Sequence, residues 1–151
     1  MNTAEAFVWF IRAFVEKERR ESYLYLLEKD LQDRGLAWKG WSRVGRKWGK
    51  IERHLDGRYC SVVEGRAWED CRRRLESGKP GKGVLVNIRW LDPLEPDLDP
   101  VPDPRMVAFD DADRLCGADV ILVYPLRGLA LYFHDEYWVW ICERPDADLG
   151  L

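Results

Sequence analysis

The sequence has no uncharged apolar stretch of about 18 residues, which is close to the shortest length that crosses a membrane as a helix. Its first residues, 1–7, also lack the basic region, the long apolar run and the small-residue cleavage site of a secretory signal peptide. We therefore expect a cytoplasmic protein that has no contact with a membrane.

Metal-binding and redox motifs are missing too. The chain contains two histidines and four cysteines, and the cysteines never occur as a C-x-x-C pair. A structural zinc site needs about four convergent ligands of these types, so the sequence predicts no metal ion and no cofactor. It predicts buried free thiols in a reducing compartment, with two disulfides as the alternative. The four residues are Cys60, Cys71, Cys116 and Cys142.

No catalytic motif stands out. Segment 78–83 is rich in glycine and lysine, but it lacks the G-x-x-x-x-G-K-[ST] spacing of a phosphate-binding loop and precedes its strand. His54 and His134 have acidic neighbours in the chain, yet adjacent residues on a turn seldom converge on one substrate atom. Capping and the helix dipole explain the acidic run 110–113. We therefore assign no catalytic residue, and an enzyme is less expected than a binding protein.

What the chain does contain is an uneven distribution of charge. It has 24 basic and 27 acidic residues and a net charge of −3. Residues 1–89 carry 20 basic and 13 acidic side chains, whereas residues 90–151 carry 4 and 14. Two interpretations stay open at this point: the two halves attract each other within one fold, or the basic half presents a binding face.

Helical periodicity dominates the first half of the chain. Phe7, Ile11 and Phe14 recur at helical spacing, and an apolar stripe resumes at Tyr23. We expect one long helix or two consecutive helices, ending near Gly35. A second helical face follows with apolar residues three or four apart, and Gly45 and Gly49 leave open whether that helix is interrupted. Its members are Trp41, Val44, Trp48, Ile51 and Leu55.

The basic side chains of segment 39–53 form the candidate binding surface. Nucleic-acid binding needs exposed aromatic rings among the cations, but the helical spacing directs Trp41 and Trp48 away from most of them. The isoelectric point near 5.5 also disfavours a nucleic-acid binder. The spacing therefore favours buried tryptophans under a solvated basic surface, and the alternative to nucleic acid as a partner is another protein with an acidic surface. The candidate binding residues are Lys39, Arg43, Arg46, Lys47, Lys50, Arg53, Arg20 and Arg58.

The pattern in the rest of the chain alternates between helix and strand. We predict a helix at 64–75 and a strand at 84–90, followed by an extended acidic loop at 92–104 that contains five prolines. A helix is predicted at 106–115, and the tail 145–151 is expected to fray.

Three strands are predicted near the C-terminus, at 119–124, 129–133 and 137–142. Apolar residues alternate along them and short turns separate them, which predicts an antiparallel meander. A chain of 151 residues is typical of one domain. We therefore predict a single α+β domain over residues 1–151, with a helical N-terminal half packed on a small antiparallel C-terminal sheet.

Three segments together resemble a known group of proteins. They are ERRESYL at 18–24, LDGRY at 55–59, and GLALYF at 128–133 with the strand that follows it. The order resembles small bacterial proteins with an Arg-Tyr helix, a Leu-Asp-x-Arg-Tyr turn and a C-terminal hairpin containing Leu-Ala-Tyr-Phe. Leu131 departs from that hairpin pattern. The resemblance implies a bacterial source and no particular activity.

The function class that we expect is non-enzymatic protein binding of the immunity or antitoxin type. The sequence has eight tryptophans and six tyrosines, and these residue types are enriched at interfaces. The alternative is a nucleic-acid-associated protein that uses segment 39–53. The sequence does not indicate an oligomeric state.

Overall fold

The secondary structure comprises three α-helices, three short 3-10 helices and six β-strands within the part of the chain that this computed structural model describes, residues 1, 3–33, 50–87 and 106–145. The α-helices are α1 (Thr3–Phe14), α2 (Lys17–Asp33) and α3 (Arg66–Glu76). The strands are β1 (Cys60–Glu64), β2 (Lys82–Asn87), β3 (Met106–Ala108), β4 (Val120–Tyr124), β5 (Leu129–Phe133) and β6 (Trp138–Glu143). The 3-10 helices are Ile51–His54, Phe109–Leu115 and Pro125–Arg127.

All six strands belong to one antiparallel sheet with the order β1-β6-β5-β4-β2-β3. The predicted meander of β4, β5 and β6 is confirmed, and so is the α+β fold class. The sheet is larger than predicted because β1 joins β6 on one side, while β2 and β3 extend it on the other. The predicted helix at 64–75 is confirmed as α3, although it begins at Arg66 because Glu64 belongs to β1; Trp68 and Leu75 are buried on one side.

Helix α1 covers one face of the sheet. Side chains alternate between the two faces along each strand, so one set of apolar side chains points towards this helix. These side chains form a single buried cluster with the aromatic residues of α1. Phe7, Phe10 and Phe14 of α1 are fully buried in that cluster. The sheet residues facing them are Cys60, Val84, Val86, Ile121, Val123, Ala130, Tyr132 and Cys142.

Helix α3 and the 3-10 helix Phe109–Leu115 contribute the cluster on the opposite face. Trp68 lies edge-on to Phe133 with 5.7 Å between the ring centroids, and its Nε1 donates a hydrogen bond of 3.1 Å to Asp113 Oδ1. Asp113 also pairs with Arg72 at 2.8 Å. The acidic run 110–113, which was predicted only to cap a helix, therefore also connects the 3-10 helix Phe109–Leu115 to α3 through Asp113.

Two separate helices form the N-terminal region, which was one of the two alternatives left open. Val15 lies between them in an isolated antiparallel bridge with Leu55, and Glu16 N donates to His54 O at 2.8 Å. Arg20 Nε then donates to Val15 O at 2.8 Å. The helix breaks here because Glu16 N donates to His54 O, and Phe14 O accepts from Asp56 N at 2.7 Å, instead of continuing the helical pattern.

Two predicted helices are wrong in part. Residues Met106–Ala108 form β3, which pairs with the first residues of β2, and the helix that follows is of the 3-10 type. Pairing with β2 supplies hydrogen bonds that a sequence pattern cannot reveal. Likewise, Ile51–His54 is a single 3-10 turn, and Leu55 is extended with ψ of 139°. Ile51 and Leu55 are nevertheless buried, as their spacing indicated.

Several predictions fall on residues outside the described ranges: the helix over 41–49, the end of α2 near Gly35, strand residues 88–90, the loop 92–104 and the tail from 146 onward. No helix among the described residues has the length and apolar character needed to cross a bilayer.

Gly128 offers a test of how tightly β5 and β6 are joined. Its φ is +58°, and a Cβ added there would collide with the backbone carbonyl of Arg144. We expect Gly128→Ala to lower the free energy of unfolding by at least about 2 kcal/mol, because strained backbone and steric overlap add. Urea denaturation measures this. Gly57→Ala is the matched control, since its Cβ meets nothing within 4 Å; an equal loss in both variants would contradict the explanation.

Candidate functional site: an edge strand and a tryptophan groove

Strand β1 is an edge of the sheet whose outer side has no partner strand within residues 50–87 and 106–145. Glu143 N donates to Tyr59 O at 3.0 Å, which makes this a hydrogen-bonded pair of the antiparallel ladder. Because such pairs alternate along the ladder, the N–H and C=O groups of Val62 and Glu64 point away from β6. No strand among the described residues therefore pairs with the main-chain donors and acceptors along this edge.

Beside this edge lies a groove of about 640 Å³. Val62 is opposite Trp140, and Glu64 is opposite Trp138, in the ladder positions where facing side chains approach most closely. Val62 is 49% exposed, while both indoles are half-buried. The residues lining the groove are Glu52, Val62, Val63, Glu64, Ala67, Trp138 and Trp140.

The two tryptophans differ in how they are held. Trp138 Nε1 donates to Glu52 Oε1 at 3.0 Å, and its ring stacks on the imidazole of His134 with 4.1 Å between the centroids. Trp140 Nε1 is buried and has no hydrogen-bond acceptor among the described residues. The groove therefore has one indole fixed on both sides and a second whose polar atom is unsatisfied.

His134 connects the groove to a cluster of carboxylates at the end of the sheet. Its Nε2 lies 3.0 Å from Glu52 Oε2, and its Nδ1 lies 2.9 Å from Asp135 Oδ1. Asp135 N donates to Asp119 Oδ1 at 3.0 Å. The sequence correctly put His134 in a turn, since Tyr137 N donates to His134 O at 3.1 Å. It gave no signal for Glu52 or Asp119, because they approach only through the fold.

His54 lies in a different environment from the one its chain neighbours suggested. Its Nδ1 is 2.7 Å from the hydroxyl of Tyr23, so its partner comes from α2 and not from a nearby carboxylate. Burial raises the pKa of Tyr23. The pair borders a pocket of about 360 Å³ lined by Arg19, Ser22, Tyr23, Tyr25, Leu26, Lys50 and His54.

The eight predicted binding residues do not form one surface that the structure describes. Lys39, Arg43, Arg46 and Lys47 lie outside the described residues. Lys50 lines the pocket beside His54, and Arg53 is exposed. Arg20 bonds to the backbone carbonyl of Val15, as described above. The sequence pattern did not indicate this structural contact.

Arg58 is the remaining predicted binding residue, and it is engaged by Asp56. Its Nε and NH2 groups donate to the Asp56 carboxylate, with 2.8 Å from NH2 to Oδ2. Arg58 N adds a bond of 3.0 Å to Oδ1. Asp56 is buried, whereas the Arg58 side chain is 71% exposed. The Leu-Asp-Gly-Arg-Tyr motif is thus a turn whose arginine stabilises a buried carboxylate of the same motif.

The Asp56–Arg58 ion pair predicts how the stability of the fold depends on pH. The side-chain hydrogen bond with Arg58 holds the pKa of Asp56 below its ordinary value. The resulting stability is present above the ordinary carboxyl pKa of about 4 and is lost as the pH falls through the lower, folded-state pKa. We expect Asp56→Asn to be less stable than the wild type at pH 7, with the difference shrinking below about pH 4. Urea denaturation at both pH values measures the effect.

The matched control for this prediction is Asp110→Asn, which alters an exposed carboxylate. Its free energy of unfolding should follow that of the wild type at both pH values. A constant gap between Asp56→Asn and the wild type across this range would contradict the role of the charged pair.

Comparison of this chain with profiles of known protein families, with curated proteins and with solved structures finds no match. The resemblance to small bacterial proteins therefore stays a prediction, and function must be argued from the site.

Proposed function

We propose that the protein binds another protein by taking up an extended, basic segment of its partner as an additional strand along β1. The observation that carries the proposal is the open main-chain edge of β1 directly beside the tryptophan groove. Strand addition of this kind uses main-chain hydrogen bonds for affinity and flanking pockets for specificity. The proposal belongs to the class expected from the sequence, a non-enzymatic binding protein of the immunity or antitoxin type.

The composition of β1 supports a role as a docking edge. Exposed edges are usually protected by lysine, proline or a bulge, because an open ladder invites unwanted pairing. Strand β1 contains neither lysine nor proline, and Ser61, Val62 and Val63 form an uncharged stretch at its centre. An edge without these protections is suited to a specific partner strand.

The side chains of β1 indicate what the partner segment contains. Facing residues on neighbouring strands stabilise each other when both are apolar or when their charges are opposite. An apolar residue is therefore expected opposite Val62, and lysine or arginine opposite Glu64. The indole rings of Trp138 and Trp140 add favourable surfaces for a cation beside the strand. A strand with an apolar and a basic residue two positions apart would satisfy all three features, because both side chains then lie on the same face.

A partner of different sequence is favoured over a second copy of this chain. Two β1 strands that pair antiparallel about Val62 would place Glu64 of each opposite Cys60 of the other. Cys60 N already donates to Asp56 O at 2.9 Å, so it has no bond to offer such a ladder. Self-pairing would also leave the carboxylate of Glu64 without a cation.

The test uses a short peptide in which valine and lysine take turns at every second position with threonine between them, and a comparison peptide in which glutamate replaces lysine. The wild type should bind the basic peptide more tightly. Val62→Pro removes an N–H that faces away from β6, so it keeps the internal ladder while blocking the docking edge. We expect it to weaken binding by about tenfold or more in fluorescence polarisation. Val62→Thr, which keeps the N–H and the β-branched shape, is the matched control.

Three outcomes would overturn the proposal. The wild type could bind neither peptide, or Val62→Pro could bind as well as Val62→Thr while both retain the wild-type circular dichroism spectrum. A third is a dimer in light scattering that Val62→Pro converts to a monomer, which would identify a second copy as the occupant of the edge.

A second candidate function follows from the cations beside the Tyr23–His54 pair. Arg19 from α2 and Lys50 from the turn before the 3-10 helix line the same pocket. An acidic protein surface or a phosphate backbone would complement them. The partners in this case are those considered in the sequence analysis, an acidic protein or a nucleic acid. Lys50 is the residue of the basic segment 39–53 that supports this function.

Binding of single-stranded DNA of mixed sequence tests the second candidate. The affinity should fall steeply with salt, and Lys50→Glu should weaken it and reduce the salt slope by at least about one unit. Arg114→Glu is the control, because its side chain is 83% exposed and lies outside the pocket. Absence of binding at about 50 mM salt would exclude nucleic acid as the partner.

A further inference from the structure

A cluster of three potential metal ligands lies at the end of the sheet next to the groove. Atoms of Asp119, His134 and Asp135 that could coordinate a metal all lie within 4.8 Å of one another. The strand register explains why they meet: Val120 is opposite Phe133, so the next positions bring Asp119 beside His134. Asp135 follows His134 in the turn that joins β5 to β6.

Glu52 contacts the imidazole of His134 on the side of the ring that faces away from this cluster. Glu52 Oε2 lies 3.0 Å from Nε2, and a carboxylate in that position favours a proton on Nε2. The other ring nitrogen, Nδ1, faces Asp135 at 2.9 Å. A histidine that binds a metal through one ring nitrogen usually donates a hydrogen bond from the other nitrogen, often to a carboxylate.

Two further groups approach Nδ1 of His134 closely. Glu136 N donates to Nδ1 at 3.0 Å, which requires the lone pair to be there. Asp135 Oδ1 lies 2.9 Å from the same nitrogen, and a carboxylate oxygen is also an acceptor. Two acceptor atoms at this distance repel each other unless a proton or a metal ion lies between them.

We propose that Asp119, His134 and Asp135 bind a divalent transition-metal ion of the zinc type. His134 contributes Nδ1, each aspartate contributes a carboxylate oxygen, and the bond from Glu136 N to Nδ1 is exchanged for the bond to the metal. Imidazole nitrogen favours zinc and similar ions, whereas Ca²⁺ takes 6–8 oxygen ligands and Mg²⁺ an octahedral set of them. Three protein ligands leave one position of a tetrahedral zinc site for water.

This site is separate from the docking edge but is connected to it through Glu52. Trp138 donates a hydrogen bond to one oxygen of that carboxylate, and His134 Nε2 lies 3.0 Å from the other. A metal ion on Nδ1 makes the imidazole a stronger donor from Nε2. It therefore holds Glu52, and with it the indole of Trp138 at the groove, more firmly in place.

Isothermal titration of metal-free protein with ZnCl₂ tests the proposal. We expect one Zn²⁺ per chain and a melting temperature that rises by several degrees, while MgCl₂ at the same concentration has no effect. Asp119→Asn and Asp135→Asn should each weaken Zn²⁺ binding by about tenfold or more. Glu136→Gln is the matched control, since it changes an exposed carboxylate in the same turn without removing a ligand.

Absorption of the Co²⁺-substituted protein identifies the ligand type independently of affinity. Nitrogen and oxygen ligands give no thiolate charge-transfer band, so such a band would place the metal on cysteines and overturn the proposal. Equal Zn²⁺ affinity in Asp135→Asn and Glu136→Gln would do the same. Absence of Zn²⁺ binding by the wild type would mean that a proton alone separates His134 from Asp135. Peptide binding by β1 is measured without metal, so either proposal can fail alone.

Discussion

Burial of the central strands on both faces is the constraint on which the rest of this structure depends. Every residue of β4 and β5 is buried, because α1 packs on one face of the sheet while α3 and the 3-10 helix Phe109–Leu115 contribute to the core on the other. Such strands have no place for a charged side chain, since an unpaired buried charge is strongly destabilising. Charged side chains are therefore restricted to the edges and ends of the described sheet, and both proposed sites lie there.

Long-range polar contacts at these margins also connect the helices to the sheet. Val15 bridges Leu55 between α1 and α2, and Arg144 NH1, just after β6, donates to Ala13 O at 3.2 Å. At the end of the sheet, Glu52 joins the 3-10 turn Ile51–His54 to both Trp138 and His134. The same carboxylate thus contributes to the fold, to the wall of the groove and to the orientation of a potential metal ligand. This shared residue links partner binding and metal binding physically.

The sequence predicted those elements whose evidence is local. Alternating apolar residues and short turns predicted β4, β5 and β6, and helical spacing predicted α3 with Trp68 and Leu75 inward. Strands β1 and β3 were missed because they are short and their ladders form with residues distant in the chain. The binding residues were chosen for their positive charge, yet Arg58 forms a bidentate pair with Asp56 that local charge counting cannot distinguish from a free cation.

By itself, the sequence determined the fold class, the core positions of the meander and the separation of basic from acidic segments, because hydrophobic periodicity and charge are properties of neighbouring residues. The tertiary structure alone decided which strand lies at the edge of the described sheet and which polar groups converge. Glu52, Asp119 and His134 are far apart in the chain, and only the antiparallel register and the packing of the 3-10 turn bring them together. A site assembled from distant residues leaves no local pattern in the sequence, so the candidate function follows only from the folded structure.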